Sequence, residues 1–194
     1  MTGRPEKYSE NMILDAAVPL YWDEGIVALS MNALAQKLSM PKPSIYRHFG
    51  SEDGFKSAVL QHYEDNYLHA FRQCFTSEAT FTAACEEYLN LLVKGVQRHN
   101  KGCLMFQTRE AAMEMGPQTN ASCDDIYARL SSYVETWLTG AETRGEITIM
   151  VSMNAAVFMV LQTATLVRNA FSEGLMADEI MSLARLHLNS FITA

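Results

Sequence analysis

The sequence predicts an all-α protein, and three observations carry that prediction. Apolar residues recur at three- and four-residue steps almost from end to end, and no segment sustains the alternation of a half-buried strand. Five prolines and ten glycines among 194 residues leave long stretches free to run as helix. Serines suited to capping stand ahead of several periodic segments. The predicted architecture is an N-terminal three-helix unit of helix-turn-helix type, residues 1–60, joined by a long helix to a C-terminal helical domain, residues 61–194. About nine helices are expected in all.

The first helix opens at Ser9 and closes at Gly25, with Ile13, Ala16, Ala17, Leu20 and Tyr21 along one face. Pro19 falls inside it, where the missing N–H costs roughly 3 kcal/mol and a kink is expected. Ser30 caps a short second helix to Leu38, whose Met31, Leu34, Ala35 and Leu38 turn inward. Ser39, Met40 and Pro41 make a tight turn. A third helix spans 42–49 and stops at Gly50; Pro43 sits in its first turn, where no N–H is needed. Ser51 caps a long fourth helix expected to reach Phe75, with Glu52 and Asp53 at its positive end. Longer amphipathic helices follow at about 78–99, 103–114, 118–144, 152–172 and 177–192, punctuated by Gly102, Gly116–Pro117, Gly145 and Gly174. The domain boundary is expected within the fourth helix.

Hydrophobic residues make up 48% of the chain and charged residues 19%, the balance of a packed protein and not of a disordered one. A formal net charge of −7 argues against coating nucleic acid through bulk charge. Residues 1–60 hold six basic side chains (Arg4, Lys7, Lys37, Lys42, Arg47 and Lys56) against seven acidic ones, so any phosphate contact there depends on placement. Cys74, Cys85, Cys103 and Cys123 form no C-x-x-C pair, and Gly3, Arg4, Pro5, Glu6 and Lys7 occupy the place where a secretion signal would turn apolar. Reduced thiols in a cytoplasmic protein are therefore expected. Segment 150–171 is apolar enough to suggest a membrane span, but Asn154, Gln162, Thr163, Thr165 and Arg168 interrupt it; a buried helix and no membrane partner are expected. No phosphate loop or metal set stands in the chain, and His99 with Cys103 are two ligands, short of a zinc site. No cofactor is expected.

A groove-reading helix must be short, present its first turn, and be braced steeply by the helix before it. Ala35 is small enough for the second and third helices to approach, and Leu34, Leu38, Ile45 and Phe49 suit a shared core beneath them. Lys42, Ser44, Tyr46, Arg47 and His48 are left for the other face. In order and spacing, Gly3-Arg4-Pro5, Ile13-Leu14-Asp15-Ala16-Ala17, Gly25, Ser30-Met31 and Ile45-Tyr46-Arg47-His48-Phe49-Gly50-Ser51 resemble the N-terminal domain of TetR-family transcriptional regulators. Lys101-Gly102-Cys103-Leu104 is similar to a stretch found in many of them. The resemblance implies DNA contacts by Ser30, Lys42, Pro43, Ser44, Tyr46, Arg47 and His48, with Arg4 and Lys7 as an arm along adjacent phosphates or the minor groove. Tyr46 would bond a phosphate through its hydroxyl while its ring packs; Phe49 reads as core, and His48 suits packing or solvent as well as DNA. Two positions depart from the pattern: Pro19, and Glu52 where a lysine is common, which places repulsion near a phosphate.

In 152–171 apolar side chains surround the helix axis, and such a helix needs cover on all sides. A homodimer built on the last two helices supplies it, through Phe158, Gln162 and Leu166 with Ile180, Leu183, His187 and Phe191 at seam spacing. Twofold symmetry would then fit a palindromic operator in double-stranded DNA. The middle helices offer a small-molecule effector pocket at Tyr88, Leu92, Cys103, Met105, Phe106, Arg109, Met113, Tyr133 and Trp137, in a chain with twelve methionines. Such a stripe is more often plain core for any single residue. Arg109 suits an anionic ligand or a nearby carboxylate. The expected function is a repressor released from its operator by that effector. Cys103, at a helix start near Lys101 and His99, is expected to have a lowered pKa if it is a redox or electrophile sensor, against the alternative of an inert thiol. An enzyme with Cys103 as nucleophile and His99 as base lacks an orienting third group, and a helical interaction module without DNA leaves the recognition pattern unexplained.

Overall fold

The computed structural model describes residues 8–76 and 78–193. Its helices are α1 (Glu10–Glu24), α2 (Met31–Lys37), α3 (Lys42–Phe49), α4 (Glu52–Tyr67), α5 (His69–Thr76), α6 (Phe81–Arg98), α7 (Leu104–Glu110), α8 (Pro117–Thr143), α9 (Met153–Ser172) and α10 (Ala177–Asn189). A 3-10 turn, Ala112–Glu114, follows α7. Two short strands, β1 (Thr148–Ile149) and β2 (Ile192–Thr193), pair antiparallel with Thr148 opposite Thr193.

Local chemistry starts half of these helices. Ser9, Ser30, Ser51, Thr80 and Ser152 each accept a hydrogen bond from the backbone N–H three residues on, at 3.0–3.3 Å. Each such cap is worth about 1 kcal/mol. α1 continues as one helix through Pro19. Its inner face is Ile13, Leu14, Ala17, Val18 and Tyr21; Ala16 is exposed and Leu20 half-buried, so the face is turned from the expected one.

The expected fourth helix divides at Leu68, which gives ten α-helices among the described residues where about nine were expected. Neither glycine nor proline marks the break. Its cause is tertiary: α4 packs between α1 and α8, while α5 turns to pack on α6 and α8. α7 ends early at Glu110, and α10 stops at Asn189 because the tail is taken up by β1. The α4–α8 contact joins the N-terminal unit to the body, so these two units share a helix instead of a linker.

Candidate functional site

α2, the turn and α3 form the first half of the site. Met31, Leu34 and Ala35 of α2 and Ile45 of α3 are buried, and Leu38 and Phe49 pack half-buried against the same core. Between the helices Ser39 has a positive φ of 51°, and Met40 N–H reaches back to Ala35 O at 2.9 Å. That bend aims α3 across α2. With Ile45 pinned inward, Pro43 and Arg47 stand exposed one turn apart, flanked by half-exposed Lys42 and Ser44. Tyr46 packs its ring against the core and has the Lys42 ammonium 5.5 Å from its centroid.

Ser30 is exposed at the α2 N-terminus, although its hydroxyl already accepts from Ala33 N–H. His48 takes the packing role the sequence allowed and not the DNA contact: its side chain is only 7% exposed, near Glu10 of α1 at 3.9 Å and tilted against the Phe49 ring. Glu52 is less repulsive than its position suggested, being paired with Lys56 at 3.0 Å. Arg4 and Lys7 lie outside the described residues.

Two junctions fix this head to the body. At one, Asp53 of α4 caps a second helix: its carboxylate accepts from the backbone N–H of Gln118 and Thr119, both at 2.9 Å, and from the Thr119 hydroxyl at 2.7 Å. Burial pushes the Asp53 carboxyl up, but those Thr119 and Gln118 bonds and the Lys56 charge outweigh it and hold it below the ordinary carboxylate range. A side chain at Gly116 would meet that carboxylate at 2.3–2.6 Å. At the other junction, the Trp22 indole stacks on His99 at 3.8 Å, and its N–H donates to Gly102 O. His99 Nδ1 bonds Asp23 at 2.6 Å. Sequence reading missed both junctions, since their partners lie 65 or more residues apart.

Inside the body, Tyr88, Leu92, Cys103 and Phe106 line one small apolar cavity of about 30 Å³, together with Leu68, Phe71, Phe75, Leu130, Leu161 and Ala164. The other expected pocket residues are elsewhere. Met113 is 99% exposed on the 3-10 turn, which lifts it off the body. Arg109 points outward to Asp124 at 2.7 Å and lies over the Tyr127 ring, so it does not meet the cavity. Met105 is fully buried core. Tyr133 and Trp137 line a separate cleft with Arg144. The Cys103 thiol contradicts the expected low pKa: burial raises it, and the hydrogen bonds from Tyr63 and the first α7 amides do not compensate. His99 is committed to Asp23 and Trp22, while the Cys103 thiol receives the Tyr63 hydroxyl at 3.4 Å.

Of the expected seam residues, Phe158 is 55% exposed and Gln162, Leu166, Leu183 and His187 are half-buried. Ile180 and Phe191 are each 1% exposed within a single chain, so they hold α10 and the tail to its own body and present nothing to a partner. Leu186, unforeseen, is 68% exposed. Among the described residues no helix is long and apolar enough to cross a membrane.

Residues 13–59 match the model of the bacterial regulatory proteins, tetR family. The chain is similar to the HTH-type transcriptional repressor ComR of Escherichia coli strain K12, 24% identical over 151 residues, 75% of this chain and 70% of ComR. The fold matches a tetR-family transcriptional regulator from Agrobacterium tumefaciens at a TM-score of 0.80 and 14% identity, covering 93% of this chain and 96% of that one. It also matches a cysteine mutant of the regulator CifR complexed with 26-bp operator DNA, at a TM-score of 0.79 and 18% identity, covering 97% and 100%.

Proposed function

We propose that this chain is a DNA-binding transcriptional regulator of the tetR family that represses, holding a palindromic operator as a homodimer and releasing it when a small molecule enters the body. The observation that carries the reading is the outer face of α3, where Pro43 and Arg47 stand clear of the core that Ile45 anchors. Lys42, Ser44 and Arg47 would meet the groove and its phosphates, Tyr46 would lend a phosphate its hydroxyl, and Ser30 would approach the backbone at the α2 N-terminus. Arg4 and Lys7 would extend that contact. We place the working division at residues 1–60 and 61–194, with α4 carried across it.

The partner surface would be the exposed or half-buried Phe158, Gln162 and Leu166 of α9 with Leu183, Leu186 and His187 of α10, which would build an intermolecular four-helix bundle. Effector entry would shift the two junctions at Trp22 and Asp53 and so the spacing of the heads. No catalytic step is assigned. The test is a mobility-shift titration with DNA from upstream of the chain's own gene. Saturable binding that survives excess unrelated DNA and fails for Lys42→Ala/Arg47→Ala supports the reading; equal binding to unrelated DNA overturns it.

A further inference from the structure

We propose that the effector is an uncharged aromatic molecule of one or two rings that joins two adjoining cavities and acts on the head directly through Trp22. This rests on the ligand-responsive reading above. The second cavity, about 70 Å³, is lined by Trp22, Tyr63, Gly95, Val96 and Gly102, and it shares Phe71, Leu92, Cys103 and Ala164 with the first. Those four residues are therefore the wall between them.

The linings fix the chemistry of the occupant. Among the described residues no charged side chain lines either cavity. The polar side chains are Trp22, Tyr63, Tyr88 and Cys103, and they are already engaged: Trp22 donates to Gly102 O, Tyr88 to Val160 O at 2.9 Å, and Tyr63 to the Cys103 sulfur. An ion would lose its water and gain no counter-charge, so neutral molecules are selected. Arg109, the cation that sequence suggested for an anion, lies outside.

Size then supplies the coupling. A dry cavity of roughly 150 Å³ accepts benzene, and the cavities of about 30 and 70 Å³ fall short of that even when joined, so the space must also enlarge. An occupant must open the wall, and Phe71 is the residue able to yield, being half-buried with its ring edge-on to Tyr88 at 6.2 Å. On the opposite side the enlarged space presses on Trp22, a residue of α1. Its indole is held by the Gly102 carbonyl, the His99 stack and edge contacts to Tyr63 and Tyr67. Displacing it moves the helix that braces the DNA-facing unit, without any relay through a second element.

The experiment uses full-length protein labelled with 5-fluorotryptophan, whose two resonances report Trp22 and Trp137 separately, with Trp22→Phe assigning them. Indane is the probe and benzoate the anionic control, each titrated with and without operator DNA. Indane is expected to move the Trp22 resonance saturably, leave Trp137 in place, bind at least about tenfold more tightly than benzoate, and weaken operator binding. Trp22→Phe is expected to reduce the effect of indane on operator binding. Benzoate binding as tightly as indane, indane moving Trp137 alone, or no binding of indane overturns the proposal. Loss of DNA binding by the ligand-free protein would instead sink the regulator reading itself.

Discussion

Asp53→Ala removes the cap that the head provides for the 27-residue helix α8. The carboxylate accepts three hydrogen bonds there, two from amides that would otherwise face water unpaired and one from the Thr119 hydroxyl. Loss of a capping side chain costs about 0.5–2 kcal/mol, and hydrogen bonds to a charged acceptor fall at the upper end of that range. We expect about 1–2 kcal/mol, or a fall in melting temperature of about 2–8 °C for a chain of this length. Circular dichroism melts at pH 7 read it directly. Two controls isolate the contact. Thr119→Val is expected to cost less in the Asp53→Ala background than in the native chain, by about 1 kcal/mol. Gly116→Ala is expected to destabilise the native chain, where its methyl meets the carboxylate, and to be near neutral once Asp53 is gone. The pH dependence has a fixed sign. The folded Asp53 pKa is depressed, so the unfolded state binds more protons; the stabilisation is present above the unfolded value, about 3.9, and lost as pH falls through the folded value. Asp53→Asn should therefore lose its disadvantage in acid. A melting temperature unchanged by Asp53→Ala, or a Gly116→Ala cost equal in both backgrounds, would refute the reasoning.

Tyr46→Phe is expected to weaken operator binding about tenfold, the worth of one hydrogen bond to a charged group, with an unchanged melting temperature; unchanged affinity on a folded dimer removes the phosphate role. The native chain is expected to sediment at about 43 kDa, twice its 21.7 kDa, and Phe158→Glu at the single-chain mass, because two buried carboxylates would meet near the twofold axis. A dimer that persists in Phe158→Glu places the interface elsewhere. The four thiols should alkylate slowly at pH 7 and faster as pH rises: burial lifts Cys74 and Cys123 to about 11, Cys85 to about 12, and Cys103 above its ordinary value. Rapid labelling of Cys103 at pH 7 would revive the thiol-sensor alternative.

What sequence made legible was whatever a few neighbouring residues decide. Ser9, Ser30 and Ser51 cap the helices they were expected to cap, because a cap is a contact over three residues. Ile45 is buried and Arg47 exposed, as a two-residue offset on a short helix requires. Positions decided by distant partners were not legible. The break at Leu68 has no local signal, and Trp137 stacks on Phe81 instead of facing the cavity with Tyr88. Met113 fits an apolar stripe until the helix that would carry it ends three residues earlier. Ile180 and Phe191 have seam spacing, but spacing alone does not tell a partner's side from the chain's own core. The Trp22–His99 and Asp53–Thr119 junctions join segments that no periodicity links.

The most direct test is a hydroxyl-radical footprint of the full chain on the DNA upstream of its gene, run beside Lys42→Ala/Arg47→Ala. Two protected patches about one helical turn apart, related by a twofold axis and erased in the double variant, are the predicted result. A native-strength footprint in that variant would mean that α3 does not touch the duplex.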